Sequence, residues 1–394
     1  MGAIQEIFQE YYKEYEKTHT LPKHARDAAN KIKKCRTAAL GGHVQACPEE
    51  HYQRIWYNSC KHRACTQCSG IQIEEWLEKQ RVRLLDIDHF HVVFTIPHQL
   101  NELWLLNTEI MSKIFFESVK KSLFGLLKNP SFLGASPGMI ATLQTWGQTL
   151  YLHPHIHCLI TGGGLTDTEE WKNSNKDYLV PCKTLMEIFR GKYIDELHKL
   201  AHKNKIKRPE GMKYLEIHDL LKKLRTKNWN VRIMERYTHG EGVITYLGRY
   251  IRGGCISNKR IISIKNGEVI FKHQDNKETD EKNKAKKKTM KLKAEEFIQR
   301  FLLHIPKPGT KVVRYYGIYA SSKEKSLNKC RELLGVEKVK TIKKITWQEY
   351  CEKKGEKHPE ECPICGTKLI RKESIMSYYK PSDRLETIKV EKAS

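Results

Sequence analysis

The chain has 394 residues, 30% of them charged, and a net charge of +25. That length supports two or three domains with an ample core, and the composition excludes a disordered or fibrous chain. So large a basic excess points to a polyanionic partner, most simply nucleic acid; an anionic membrane fits poorly, because no apolar run of 18 residues and no basic amphipathic helix is present.

In chain order, residues 1 to 30 read as helical, with Ile4, Ile7, Phe8, Tyr11 and Tyr12 at helical spacing. No secretory or myristoylation signal opens this stretch, so the expected location is the cytoplasm. Twelve cysteines there suggest metal binding rather than disulfides. Next comes "CRTAALGGHVQACPEEHYQRIWYNSCKHRACTQCSG", in which Cys47 and His51 form a C-x3-H pair and Cys65 and Cys68 a C-x2-C pair. Two such pairs around a short β-like insert match a four-ligand structural zinc, which supplies folding energy rather than chemistry. Cys35, His43, Cys60 and His62 remain for a second site, and a crossed pairing stays open.

A helix through "IQIEEWLEKQRVRLL" leads to a strand, "HFHVVFTIP" (89–97), and to one long helix from Leu100 to Leu127. "GMIATLQTWGQTLYL" reads as a strand hairpinned through "HP" onto "YLHPHIHCLITGGG". In that second strand His155 and His157 are two apart and share a face, so they could hold one divalent metal. The plainer reading is two buried histidines satisfied by hydrogen bonds. Helices near 183–204 and 215–226 and the strand "WNVRIM" follow. In the helix "GVITYLGRYI", Tyr246 and Tyr250 lie one turn apart on one face, with Arg249 and Arg252 placed to meet a phosphate. Half-buried tyrosine packing and a basic coat are the alternatives. "RIISIKN" and "EVIFKH" meet at an Asn266–Gly267 turn. The charge-dense run 275–293, with Lys284, Lys286, Lys287 and Lys288, reads as a solvated linker or strand–loop segment able to touch phosphate. "ECPICGTKL" offers Cys362 and Cys365 as half a zinc ribbon, with Cys351 and His358 as its partners.

Several of these motifs, in this order, resemble the HUH rolling-circle transposases of the insertion sequence 91 type, which use two tyrosines. The resemblance rests on "CRTAALGGH", "NSC" with Cys65 and Cys68, "HVVFTIP", "TWGQTLYLHPHIHCLITGGG", "YLGRYIRGGCISNKRI" and "RYYGIYA", and it spans most of the chain. It implies an α+β fold: an HUH endonuclease domain, an antiparallel sheet flanked by helices, after an N-terminal zinc-binding domain. It also implies Mg²⁺ or Mn²⁺ on His155 and His157, and nucleophilic Tyr246 and Tyr250 that cut single-stranded DNA at transposon ends. The products would be a 5′-phosphotyrosine and a free 3′-hydroxyl, with strands passed to a target. Such sites have a third ligand, and strand alternation offers Gln148, an ordinary polar strand residue being the alternative. Arg249, Arg252 and Arg260 would line the DNA groove. The chain departs from the family at "CPEEH", where His51 must stand for a cysteine, and at "RACT", where the histidine is displaced to His62.

The expected organisation is a helical and zinc-binding domain over 1–85, the endonuclease domain over 86–274, a basic linker and accessory segment over 275–345, and a tail with a zinc knuckle over 346–394. A bacterial or archaeal, nucleoid-associated location follows, with the oligomeric state open. The rival readings are a rolling-circle replication initiator and a non-catalytic zinc-dependent nucleic-acid-binding protein.

Overall fold

The computed structural model describes residues 2–175, 178–237, 244, 248, 254–279, 285–336, 344–355 and 359–378. The N-terminal helical stretch is two helices, α1 (Ala3–Thr18) and α2 (Lys23–Lys34), because Pro22 restricts the residue before it and starts α2 afresh. A short hairpin of β1 (Gly42–Ala46) and β2 (Gln53–Tyr57) precedes α3 (Gly70–Arg83) and β3 (His89–Thr95). The helix expected from 100 to 127 is divided into α4 (Asn101–Leu106) and α5 (Thr108–Leu127). The break is Asn107, whose amide donates to the carbonyls of Leu103 and Lys207 at 2.9 and 2.7 Å and so leaves the helical path.

β4 (Ser136–Trp146) and β5 (Leu152–Leu165) form the long hairpin. Its turn is Gly147–Leu150, with Leu150 at φ +62°, rather than the His153–Pro154 pair, which lies inside β5. After β6 (Trp171–Asn173) come α6 (Cys182–His202), α7 (Tyr214–Thr226) and β7 (Asn230–Tyr237). β8 (Ile261–Lys265) and β9 (Glu268–Thr279) meet at Asn266 and Gly267, both at positive φ as a type I′ turn requires. The lysine run is no linker where it is described: β10 (Ala285–Lys293) pairs along β9. The chain continues through α8 (Ala294–Leu303), β11 (Val313–Gly317), α9 (Glu324–Leu334), α10 (Trp347–Lys353) and β12 (Ile370–Ile375).

The central sheet is antiparallel, in the order β11-β4-β5-β3-β7 with β6 on β5. Alternation sorts its residues. Ile156, Cys158 and Ile160 of β5, with Phe90, Val92 and Phe94 of β3, enter a core shared with Phe115 of α5 and Phe189 of α6. On the opposite face, Ile140 and Leu159 pack with Leu77 of α3, Leu327 of α9 and Ile244. A separate core joins α1, α2 and α8 to the sheet β10-β9-β8 through Phe8, Phe271, Phe297 and Phe301. The expected α+β class, with antiparallel sheets flanked by helices and an N-terminal cysteine-rich cluster, is what the chain forms. No described helix is long and apolar enough to cross a membrane.

Candidate catalytic face and zinc centres

His155 and His157 lie on the sheet face opposite the aromatic core, in phase with Leu159. The sheet gathers further donors around them. His91 of β3 reaches across, its Nε2 2.8 Å from His157 Nδ1. Gln144 of β4 stands directly opposite His155, its Oε1 3.1 Å from His155 Nε2. His155 Nδ1 lies 2.6 Å from the His153 carbonyl, which can only accept, so the proton sits on Nδ1. The Nε2 lone pair therefore faces the Gln144 carbonyl oxygen. Two converging acceptors about 3 Å apart are spaced like neighbouring ligands on one octahedral cation. Gln144 Nε2 is buried with no partner among the described residues.

Burial pushes His91 and His155 down to about 4. It also holds His157 well below its ordinary value, with the His155 and His91 imidazoles adding to the effect. All three are thus neutral at pH 7 and keep the lone pairs a metal needs. Gln148 is not on this face. β4 ends at Trp146, so Gln148 falls in the turn, and the residue brought to His155 is Gln144. His91 was legible only as one of two alternating histidines in a β-prone run; which strand would lie beside β5 was not.

The turn that launches β5 is held from the α8 side. Arg260 donates to the Gln148 carbonyl at 2.5 Å, Arg300 to that of Thr149 at 2.8 Å, and His304 Nε2 to that of Leu150 at 2.9 Å. Three successive carbonyls each have a side-chain donor, which fixes where the histidine strand begins. Arg260 also donates to the Lys272 carbonyl at 2.8 Å. It therefore braces this turn from the strand side.

Tyr246, Tyr250, Arg249 and Arg252 lie outside the described residues. Their described neighbours are informative. Ile244 is fully buried in the cluster with Leu77, Ile140 and Leu159. A methyl group at Gly248 would lie only 2.9 Å from Leu77 Cδ2, so glycine permits this close approach to α3. Ile244 thus packs on the same sheet face as His155 and His157, and Gly248 packs against α3.

The candidate zinc ligands group differently from the expected sets: the first group crosses the two N-terminal sets and the second joins Cys47 and His51 to the C-terminal knuckle. Cys35, Cys60, Cys65 and Cys68 form one group, and Cys47, His51, Cys362 and Cys365 another, with the ligand atoms of each within 4.8 Å of one another. Sulfur separations of 3.6 Å (Cys60–Cys68) and 3.5 Å (Cys47–Cys365) suit a tetrahedral ion, whose Zn–S bonds of about 2.3 Å set sulfurs about 3.8 Å apart. The pairing follows from the hairpin. Cys35 and Cys60 flank its base, where Arg36 N–H donates to Asn58 O; Cys47 and His51 sit at its tip, about 17 Å away for five-residue strands. β12 pairs with β1 so that Ile370 faces Ala46, which brings the Cys362–Cys365 knuckle to that tip.

The expected Cys47–His51–Cys65–Cys68 set is therefore corrected, as are the other two partnerships. His43 is mid-strand, opposite Trp56 and Ser374, and joins neither group. His62 instead accepts from Ala64 N–H through Nδ1 at 3.3 Å. Cys351 is in α10, outside both groups, and His358 is outside the described residues. In the lysine run, Lys286 pairs with Glu278 at 3.4 Å and Lys288 with Asp275 at 2.9 Å; Lys284 lies outside the described residues.

Two family models match the chain: "Transposase zinc-binding domain" over residues 7–96 and "Putative transposase" over 138–326. The chain is similar to "Putative transposase y4qJ" of Sinorhizobium fredii, 33% identical over 372 residues and 92% of each chain. It is also similar to "Transposase for insertion sequence element IS801" of Pseudomonas savastanoi pv. phaseolicola, 23% identical over 352 residues, which cover 87% of this chain and 82% of the relative. No solved structure matches. With a third of its residues shared along almost the whole length of a transposase, and both halves of the family's architecture matched in order, the chain belongs to the insertion sequence 91 family of transposases.

Proposed function

We propose that this transposase cuts and rejoins single-stranded DNA by tyrosine transesterification, in the HUH manner. The observation that carries the reading is one face of the sheet that gathers three neutral imidazoles and an amide oxygen, with Ile244 packed on that same face. In the first step a tyrosine oxygen bonds to a backbone phosphorus and the P–O3′ bond breaks. The protein then carries a 5′-phosphotyrosine, and the phenol proton ends on the released 3′-hydroxyl. A second tyrosine can hold a second strand while a 3′-hydroxyl of a target end reverses the reaction. No bond energy is lost to hydrolysis, so rejoining needs no other source.

His155, His157, His91 and Gln144 are the residues that would hold the catalytic cation. Their imidazole-rich, carboxylate-free set suits Mn²⁺ better than Mg²⁺, which prefers oxygen ligands. Bound there, a cation supplies polarisation of the scissile phosphate and stabilises charge on the leaving oxygen. The protein's part is to keep the imidazoles neutral through burial and to fix their strand through the braced turn. The two cysteine-rich groups would hold structural Zn²⁺, the first within the matched zinc-binding domain.

The test is covalent trapping. Incubation with single-stranded DNA from the element's ends and Mn²⁺ should give an adduct that survives SDS. Persistence of that adduct in the Tyr246→Phe/Tyr250→Phe double variant would refute the assignment. Retention of DNA binding without any adduct in the unaltered protein would favour the non-catalytic binding reading.

A further inference from the structure

Between the N-terminal hairpin and the C-terminal segment lies a cleft of about 360 Å³. That volume is within the roughly 300–1,000 Å³ typical of small-ligand sites. One wall carries Arg36, Tyr52, Arg54 and Trp56; the other carries Trp347 and Tyr350 of α10. The aromatic rings are arranged as a platform. Trp347 stacks on Tyr350 with centroids 5.6 Å apart, and Trp56 meets Trp347 edge-on at 6.3 Å. Guanidinium groups cover two of these rings, Arg54 at 4.5 Å from Trp56 and Arg36 at 5.5 Å from Trp347. One carboxylate, Glu361, also lines the cleft.

Neither wall is a loose surface. α10 is tied to α3 by Lys353 and Lys354, which reach Glu74 at 2.9 and 3.6 Å. Tyr350 lies so close to Gly70 that a methyl there would meet its hydroxyl. Pairing of β12 with β1 and the group Cys47, His51, Cys362 and Cys365 close the other end. Half-buried tryptophans beside arginines, held open by fixed walls, are poorly explained as packing. They match the chemistry that receives an unpaired base: aromatic rings and guanidinium planes side by side in one cleft.

We propose that this cleft is a stacking site for unpaired nucleobases of single-stranded DNA, formed jointly by the zinc-binding domain and the C-terminal segment. None of His91, Gln144, His155 and His157 lines it, so it serves to hold a strand rather than to cut it. The inference rests on the reading of the substrate as single-stranded DNA.

The test uses full-length protein and oligonucleotides from the element's ends. With 5-iodouracil at successive unpaired positions, photocrosslinks on the unaltered protein should map to peptides containing Trp56, Trp347 or Tyr350. Trp347→Ala should weaken single-strand binding at least about fivefold, the low end for removing one stacked base. Trp347→Phe should restore most of it, and duplex affinity should be unchanged. Crosslinks mapping elsewhere, or equal single-strand affinity for Trp347→Ala, would overturn the cleft while nicking by the unaltered protein left the proposed function standing. A protein that neither binds nor nicks single strands would remove both.

Discussion

His304 offers a quantitative test of how the histidine strand is positioned. Its Nε2–H donates to the Leu150 carbonyl at 2.9 Å, and its Nδ1 accepts from the Thr145 hydroxyl at 3.1 Å, so the ring is satisfied only when neutral. Burial pushes its pKa down to about 4, against an ordinary value of 6.5. Above pH 6.5 neither the folded nor the unfolded chain protonates this ring, and its contribution to stability is complete. As pH falls from 6.5 towards 4 the unfolded chain takes up the proton and the folded chain does not, so stability is lost over that window. At pH 5 the loss from this one ring is about 2 kcal/mol, from 1.5 pH units at about 1.4 kcal/mol each. Glutamine does not titrate and its amide can still donate to a carbonyl. Urea unfolding at pH 7 and pH 5 should therefore show His304→Gln losing about 2 kcal/mol less than the unaltered protein. The other buried histidines contribute equally to both proteins and cancel. Losses that agree to within about 0.5 kcal/mol would refute the argument, and with it the assignment of His304 as a neutral brace.

Three further outcomes can be measured. His155→Ala, His157→Ala and His91→Ala should each abolish Mn²⁺-dependent nicking while leaving single-strand affinity within about threefold, since phosphate contacts and metal chemistry are separable; full nicking by His91→Ala would remove it from the ligand set. Elemental analysis should find two zinc ions per chain, with Cys65→Ser/Cys68→Ser and Cys362→Ser/Cys365→Ser each losing one of them. Loss of both ions from the C-terminal variant alone would show that the two groups are not independent. Neutralising Lys286, Lys287 and Lys288 should change the slope of log affinity against log salt by less than about one unit, because Glu278 and Asp275 already engage two of the three. A change near three would mean that all three meet phosphate.

Much of this protein is local in origin and readable as such. The alternation of His155, Ile156, His157 and Cys158 marks a strand with two imidazoles on one face, and the Asn266–Gly267 turn fixes the β8–β9 hairpin by its positive φ angles. Cysteine spacing identifies metal-binding segments because a chelating pair needs only a few residues of chain. What the sequence leaves open is which distant segments meet. Cys47 and Cys365 are brought together by the pairing of β12 with β1, and His91 reaches His157 only because β3 lies beside β5. The glutamine beside His155 is Gln144 rather than Gln148 for a related reason: the hairpin turns at Gly147–Leu150, and register alone decides which glutamine faces His155. Spacing sets which residues can share a face or a knuckle, since those distances are covalent. Partner, register and the neutral state of the buried imidazoles belong to the assembled sheet, because they depend on neighbours from other strands and on the water those neighbours exclude.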